Sequence, residues 1–130
     1  MKTLALCTSV LGLGLGLAST ATPAFAQDKM ECSNPQTQME MNQCAAQDYE
    51  TADAELNTVW AELRQVRGDN PSWDAILEAQ RLWIPFRDAH CEAEAAPYEG
   101  GSIQPLIRLS CLASATNART VQLRDLMDQP

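Results

Sequence analysis

Four cysteines, at positions 32, 44, 91 and 111, constrain the fold of this chain more than any other feature. The fifth cysteine, Cys7, lies in an amino-terminal segment with the pattern of a secretory signal. Once that segment is removed, an even number of cysteines remains in an oxidising compartment, which predicts two disulfide bonds. We therefore expect a small domain with one modest core and two covalent cross-links.

The first 26 residues contain the three parts of a signal peptide: basic Met1-Lys2, an apolar run from Leu4 to Ala18, and the cleavage pattern Ala24-Phe25-Ala26. We expect cleavage after Ala26, so that residues 27–130 form a single exported domain, periplasmic or secreted, with no membrane contact. A retained membrane anchor is the alternative, but the apolar run is short for a bilayer crossing.

Charge limits the classes of partner. Removal of residues 1–26 takes away Lys2 and no acid, which leaves eight Lys and Arg against 17 Asp and Glu, a net charge of −9. Nucleic acid and anionic membranes are poor partners for such a chain, whereas a cationic protein would be attracted and steered toward it. An acidic surface that serves only solubility explains the same charge equally well.

Apolar residues recur at steps of three or four after Pro35 and predict an all-α fold, a three-helix hairpin or bundle. The first predicted helix is capped by Asn34 or Ser33 and ends at 68–71. Its apolar face contains Met41, Cys44, Ala45, Tyr49, Ala52, Leu56, Val59, Trp60, Leu63 and Val66.

The second predicted helix begins at Asn70-Pro71 or Ser72, is interrupted and bent at Pro85, and continues toward Ala96. Residues 97–101 break the chain, and Ser102 is expected to cap a third helix that runs almost to the end. The apolar stripe of the second helix comprises Trp73, Ile76, Leu77, Gln80, Trp83, Phe86, His90 and Cys91, and that of the third includes Ile103, Leu106, Ile107, Cys111, Ala115, Val121, Leu123 and Leu126.

Helix geometry favours one pairing of the cysteines. On a single helix Cys32 and Cys44 would lie ~18 Å apart, beyond the ~7 Å that a disulfide spans, so their pairing requires the arm before the helix to fold back. Cys91 and Cys111 lie two to three turns on either side of the 97–101 loop, at similar heights on antiparallel helices. We favour these two pairs, and the other two pairings remain possible. A zinc site is disfavoured by the long spacings and by the single histidine, His90.

An ordered set of motifs resembles the LprI-type lysozyme-inhibitor family of small exported bacterial proteins. The matching residues are Cys32, Thr37–Cys44, Asp53–Asn57, Ala79–Trp83, Phe86–Cys91, Gly100–Ser102, Cys111, Thr116 and Arg119. The resemblance implies an exported helical domain whose named activity is inhibition of lysozyme. The chain departs from the family pattern at Ile84-Pro85, which puts the straightness of the second helix in doubt.

Arg87 and Asp88 are the most prominent polar pair. Adjacent helical residues point about 100° apart, so we expect each of the two to contact another helix rather than its neighbour. The expected structural network, which would fix the register of the helices, comprises Asp53, Asn57, Arg87, Asp88, Thr116 and Arg119. The three tryptophans, Trp60, Trp73 and Trp83, are expected to belong to the core.

No residue set predicts catalysis. Ser102 lacks the partners of a nucleophile beyond His90, and Glu92, Glu94 and Glu99 are typical of hydrated helix or loop carboxylates. We therefore expect no catalytic residue, no cofactor and no metal.

The candidate partner-binding residues are Tyr98, Glu99, Gly100, Gly101 and Ser102. A loop between disulfide-linked helices loses little entropy on binding. The alternative is that these residues only form a tight interhelical turn. The sequence thus predicts an exported, non-enzymatic inhibitor that binds lysozyme or another cationic protein. The alternative function is a periplasmic protein- or small-ligand-binding module that does not inhibit lysozyme.

Overall fold

The computed structural model describes residues 31–129, which form three α-helices and one short 3-10 helix and contain no strand. The helices are α1, Gln38–Arg67; α2, Trp73–Ala95; and α3, Gln104–Met127, with the 3-10 helix Ala96–Tyr98 directly after α2. The predicted all-α, three-helix architecture is confirmed. None of the three helices combines the length and apolarity that a membrane crossing requires. The predicted signal peptide, residues 1–26, lies outside the described residues.

A capping box fixes the start of α1. The Thr37 hydroxyl accepts from the Glu40 amide at 3.2 Å, and the Glu40 carboxylate accepts from the amides of Gln36 and Thr37 at 2.7 and 3.0 Å. The predicted caps, Asn34 and Ser33, are wrong. The Thr-x-x-Glu pattern three residues further along satisfies the free amides instead.

The predicted cap of α2 agrees with the structure, whereas the predicted cap of α3 does not. Ser72 occupies the cap position of α2, as predicted, and the helix continues without a break through Pro85. The predicted break at Pro85 is therefore wrong, and the predicted bend there stays a prediction. The predicted Ser102 cap is also wrong: α3 begins after Ile103 without a side-chain cap, and Gly101 O accepts from the Gln104 amide at 3.2 Å.

The core lies between the helices, where α3 packs against both α1 and α2 and most extensively against α1. The three tryptophans pack against this core, as predicted, although each is only partly buried. Trp60 and Trp73 contact each other with ring centroids 5.2 Å apart. The buried side chains of the cluster are Leu56, Val59, Leu63, Ile76 and Leu123.

Both predicted disulfides are present. Cys32–Cys44 has a Cα–Cα distance of 5.7 Å and ties the irregular amino-terminal arm to α1. Cys91–Cys111, at 5.4 Å, ties α2 to α3. Chain-entropy arguments give each cross-link about 3 kcal/mol of stabilisation, a large share for a small domain.

Phe86 does not take the inward position that its place in the apolar stripe predicts. Its side chain is 66% exposed, while Arg87, one residue further, is 7% exposed. The buried side of α2 follows the spacing of Ile76, Gln80, Arg87 and Cys91, and Phe86 lies about 100° away from Arg87 around the helix. Val66, Ile103 and Val121, also on predicted stripes, are exposed as well.

Candidate functional site

The loop between α2 and α3 is a succession of tight turns. Backbone hydrogen bonds join Glu99 N to Ala96 O at 3.2 Å, Gly101 N to Tyr98 O at 2.9 Å, and Gln104 N to Gly101 O at 3.2 Å. These three hydrogen-bonded turns within nine residues leave the backbone little conformational freedom.

Gly100 is required by the backbone of this loop. Its φ angle is +75°, in the left-handed region that side chains with a Cβ rarely adopt. No atom lies within 4 Å of where a Cβ would stand, so the backbone torsion and not the available space selects glycine. The Gly100 amide also donates to Gln104 Oε1 at 3.4 Å.

The loop is anchored on several sides. Asn42 of α1 donates from Nδ2 to Ser102 O at 2.9 Å. Below the loop, the Cys91–Cys111 disulfide and an ion pair between Arg108 Nε and Glu92 at 2.8 Å join α2 to α3. The loop is therefore positioned by all three helices.

The candidate partner-binding residues form one contiguous exposed segment. Tyr98 is 43% exposed, and the four residues after it, Glu99, Gly100, Gly101 and Ser102, are exposed as well. The structure thus presents all five to solvent on a constrained backbone. Their role in partner binding stays a prediction.

Arg87, itself buried, forms the centre of a polar cluster whose carboxylates are partly exposed. Its Nε and Nη2 atoms contact Asp88 Oδ1 at 2.9 and 2.8 Å, and Nη1 lies 3.3 Å from Thr116 Oγ1 and 3.8 Å from Asp53 Oδ1. The expectation that Arg87 and Asp88 would not contact each other is wrong. The long guanidinium side chain bends back to the neighbouring carboxylate while its other edge reaches α1 and α3.

Aromatic rings enclose the Arg87 guanidinium. Its central carbon lies 5.5 Å from the ring centroid of Tyr49 and 5.1 Å from that of Trp83. Such contacts with a partly desolvated guanidinium each contribute about 1 kcal/mol. Charge neutralisation and ring contacts together account for a buried arginine at this position.

The remaining predicted network residues divide into two groups. Asn57 donates to Asp53 at 3.0 Å and so joins the Arg87 cluster. Arg119 instead donates from Nε to Gln80 Oε1 at 2.9 Å and packs 5.8 Å from the Trp83 ring. Burial lowers the pKa of the Arg119 guanidinium, which stays protonated at neutral pH.

A groove between α1 and α2 combines aromatic, amide and charged groups. Its volume is about 200 Å³. Sequence reasoning did not identify it, because its two walls come from helices far apart in the chain. The one available signal was Gln80, a polar residue within the apolar stripe of α2. The lining residues are Asp53, Leu56, Asn57, Trp60, Gln80, Trp83, Ile84 and Arg87.

One group of side chains within residues 31–129 has the spacing of metal ligands but not their chemistry. His90, Glu94 and Cys111 place ligand atoms within 4.8 Å of one another. The Cys111 sulfur is bonded to Cys91 and offers no thiolate, and His90 Nε2 contacts the Glu94 carboxylate at 3.0 Å. We therefore do not assign a metal site to this group.

Three packed helices, two disulfides and a constrained interhelical loop define a small cross-linked helical domain. Residues 30–123 match the model of the family described as lysozyme inhibitor LprI, and the chain belongs to this family. The family resemblance read from the sequence is thereby confirmed.

The chain is also similar to two curated proteins and to one solved structure, and the solved structure supports the fold. The chain is 35% identical over 128 residues to uncharacterized protein R02472 of Rhizobium meliloti (strain 1021), covering 89% of this chain and 92% of the relative. It is 30% identical over 95 residues to uncharacterized protein YecT of Escherichia coli (strain K12), covering 62% and 59%, respectively. A crystal structure of a DUF1311 family protein from Pseudomonas putida KT2440 matches with a TM-score of 0.64 and 29% identity, covering 75% of this chain and all of that one.

Proposed function

We propose that this protein is an exported, non-enzymatic lysozyme inhibitor that binds a cationic muramidase through its acidic surface and the 97–102 loop. The observation that carries the proposal is the match to the lysozyme-inhibitor family over residues 30–123. The proposal requires neither a cofactor nor a metal, because binding alone blocks the target enzyme.

Charge and cross-linking support this proposal. The chain after residue 26 has a net charge of −9, from eight basic and 17 acidic residues, which favours encounter with a cationic protein. Two disulfides are typical of an oxidising compartment, and a periplasmic or secreted inhibitor would meet its target there.

The loop supplies groups suited to an enzyme cleft. Tyr98 offers an aromatic anchor and Glu99 a carboxylate, and the two glycines after them allow close approach of the backbone. Because the turns and the Asn42 contact already order this segment, binding costs it little conformational entropy. Inhibition would follow from occupation of the cleft or of a neighbouring surface.

The test is a titration of the oxidised mature protein into muramidase assays with c-type, g-type and i-type lysozymes. Saturable inhibition near one-to-one stoichiometry supports the proposal. If none of the three enzyme types is inhibited, the lysozyme-inhibitor function is refuted.

The contribution of the loop is tested by Glu99→Lys, which we expect to weaken binding while leaving the Tm nearly unchanged. Glu62→Lys is the matched control, because Glu62 is also exposed but lies on α1 about 30 Å along the helix from Asn42, which contacts the loop. Equal affinities of the two variants for the lysozyme would show that the loop is not part of the binding surface.

The α1–α2 groove favours a second candidate function, that of a periplasmic small-ligand- or protein-binding module without lysozyme inhibition. Its carboxylate, amide and guanidinium groups beside Trp60 and Trp83 suit a small polar ligand with one apolar face. The two tryptophans supply a fluorescence readout. A saturable fluorescence change with N-acetylglucosamine oligomers or short wall peptides, in a protein that inhibits no lysozyme, would favour this function.

A further inference from the structure

The solvent side of α2 carries a continuous apolar strip. Leu82 and Phe86 are 63% and 66% exposed, and Pro85, Ala89 and Ala93 are exposed beside them. At 100° per residue these five residues fall within a sector of about 100°, on the side of the helix opposite its buried stripe. We call these five residues the α2 strip.

Isolated exposed apolar residues are normal in soluble proteins, but this arrangement is contiguous. Leu82 and Phe86 are i,i+4 neighbours, and the whole strip extends about 17 Å along the helix. The outer side of α1 differs, because its exposed residues include Glu50, Asn57, Thr58, Glu62 and Gln65. No element within residues 31–129 covers the α2 strip.

The strip leads into the candidate loop. Ala96 and Pro97 continue the exposed apolar surface from Ala93, and Tyr98 follows at 43% exposure. The distance from Leu82 to the loop is about 25 Å along the chain axis, within the width of one protein interface. A single partner can therefore contact the strip and the loop together.

Charge identifies the kind of partner. Residues 73–99 contain six carboxylates and two arginines, a net charge of −4, and the mature chain as a whole carries −9. Glu78 lies at one end of the strip, and Glu92, which also pairs with Arg108, lies along one side of it. A second copy would bring like charges together, whereas a cationic surface gains both apolar and electrostatic contacts.

We propose that the α2 strip is the apolar centre of the surface by which this protein docks onto a cationic protein, with the 97–102 loop at its edge. This inference rests on the proposed inhibitor function and names the surface that performs it. Apolar anchors within a polar rim are the usual arrangement of residues that dominate binding energy.

The test combines Leu82→Gln with Phe86→Gln. Both side chains are exposed and glutamine is a good helix former, so the fold is retained. Val121→Gln on α3, where the side chain is 55% exposed, is the matched control. We expect the double variant to lose at least tenfold in affinity for the inhibited lysozyme, at low and at high salt, because salt does not screen apolar contacts. The control should retain the affinity of the unaltered protein.

Three other outcomes overturn the inference in distinguishable ways. Unchanged affinity of the double variant toward a lysozyme that the protein inhibits refutes the strip alone. Failure of the protein to bind c-type, g-type and i-type lysozymes refutes the strip and the proposed function together. Sedimentation that shows a dimer of the free protein, abolished by the double variant, assigns the strip to a second copy of this chain.

Discussion

At the scale of single residues, Arg87 connects the three helices. Its guanidinium contacts Asp53 on α1, Asp88 on α2 and Thr116 on α3, and it is 7% exposed. A buried charge is tolerated only where its hydrogen-bonding groups are satisfied in this way. Because the three contacts form together in one arrangement of the helices, Arg87 favours a single register.

Replacement of Arg87 by lysine should destabilise the domain by about 2 kcal/mol. Lysine keeps the charge but cannot reproduce the planar, multidentate contacts or the packing on Tyr49 and Trp83. The expected loss of stability is smaller than the loss on breaking a fully buried ion pair, because Asp53 and Asp88 are roughly half exposed and hydrate readily. Urea unfolding measures it, with exposed Arg81→Lys as the control. Equal stability of the two variants would contradict a structural role for Arg87.

At the scale of elements, the starts of the helices are stabilised in different ways. The start of α1 has a reciprocal capping box, whereas α2 and α3 begin without a side-chain cap bond. Hydrogen bonds from the amides of Gln36 and Thr37 lower the pKa of the Glu40 carboxyl. The stability of the first turn of α1 is thus coupled to the protonation of the Glu40 carboxyl.

The coupling has a definite sign. The folded pKa of Glu40 lies below the ordinary value of 4.5. The carboxylate therefore contributes to the free energy of unfolding above pH 4.5, and this contribution is lost as the pH falls through the folded pKa. The unaltered protein should therefore lose more stability between pH 6 and pH 2.5 than Glu40→Gln does. Denaturant unfolding at both pH values measures this difference. Equal losses in the unaltered protein and in Glu40→Gln would contradict the coupling.

The two cross-links should differ in their effect. Replacement of Cys91 and Cys111 by alanine opens a span of 20 residues and should cost about 3 kcal/mol, a fall in Tm of at least about 12 °C. Replacement of Cys32 and Cys44 opens a span of 12 residues and frees only the amino-terminal arm, so the fall in Tm should be smaller. Thermal unfolding of the two double variants compares them. A larger effect of the Cys32–Cys44 pair would contradict this order.

At the scale of the whole molecule, the proposed binding divides between the net charge, which would govern encounter with the partner, and the exposed surfaces, which would govern the lifetime of the complex. The net charge of −9 after residue 26 acts over about 10 Å at moderate ionic strength. In the proposed complex, the α2 strip and the 97–102 loop would act only on contact. The two effects separate in the kinetics of binding, since electrostatic steering changes association rates more than dissociation rates.

For a lysozyme that the protein inhibits, the association rate should fall at least tenfold between about 20 mM and 500 mM salt. The dissociation rate should change much less. Surface plasmon resonance measures both rates. The double variant Glu50→Lys/Glu62→Lys, which lowers the net charge to −5, should associate more slowly at low salt and dissociate at the same rate. A salt-independent association rate would exclude electrostatic steering.

Local features predicted most of the architecture. The three helices were predicted from the helical periodicity and from the breaks at 68–71 and 97–101. The two disulfides were predicted from the heights of the cysteines on antiparallel helices. The helix starts were less predictable, because Thr37, Asn34 and Ser33 are all suitable caps and only the course of the backbone selects one. The five loop residues were predicted as partner-binding residues, a role that stays a prediction, and the structure adds that they are exposed. The groove was not predicted.

The sequence by itself determined the all-α fold and the family and favoured the observed cysteine pairing, because these depend on spacing along one chain. The packed structure selected that pairing from the three possible ones. Only the tertiary structure decided which side of α2 faces inward. Arg87 lies inside because α1 and α3 supply its partners, and Phe86 consequently lies outside on the α2 strip. The apolar period of a helix does not distinguish these two neighbours. The free energy of burying a charge depends on groups that only the packed helices bring together.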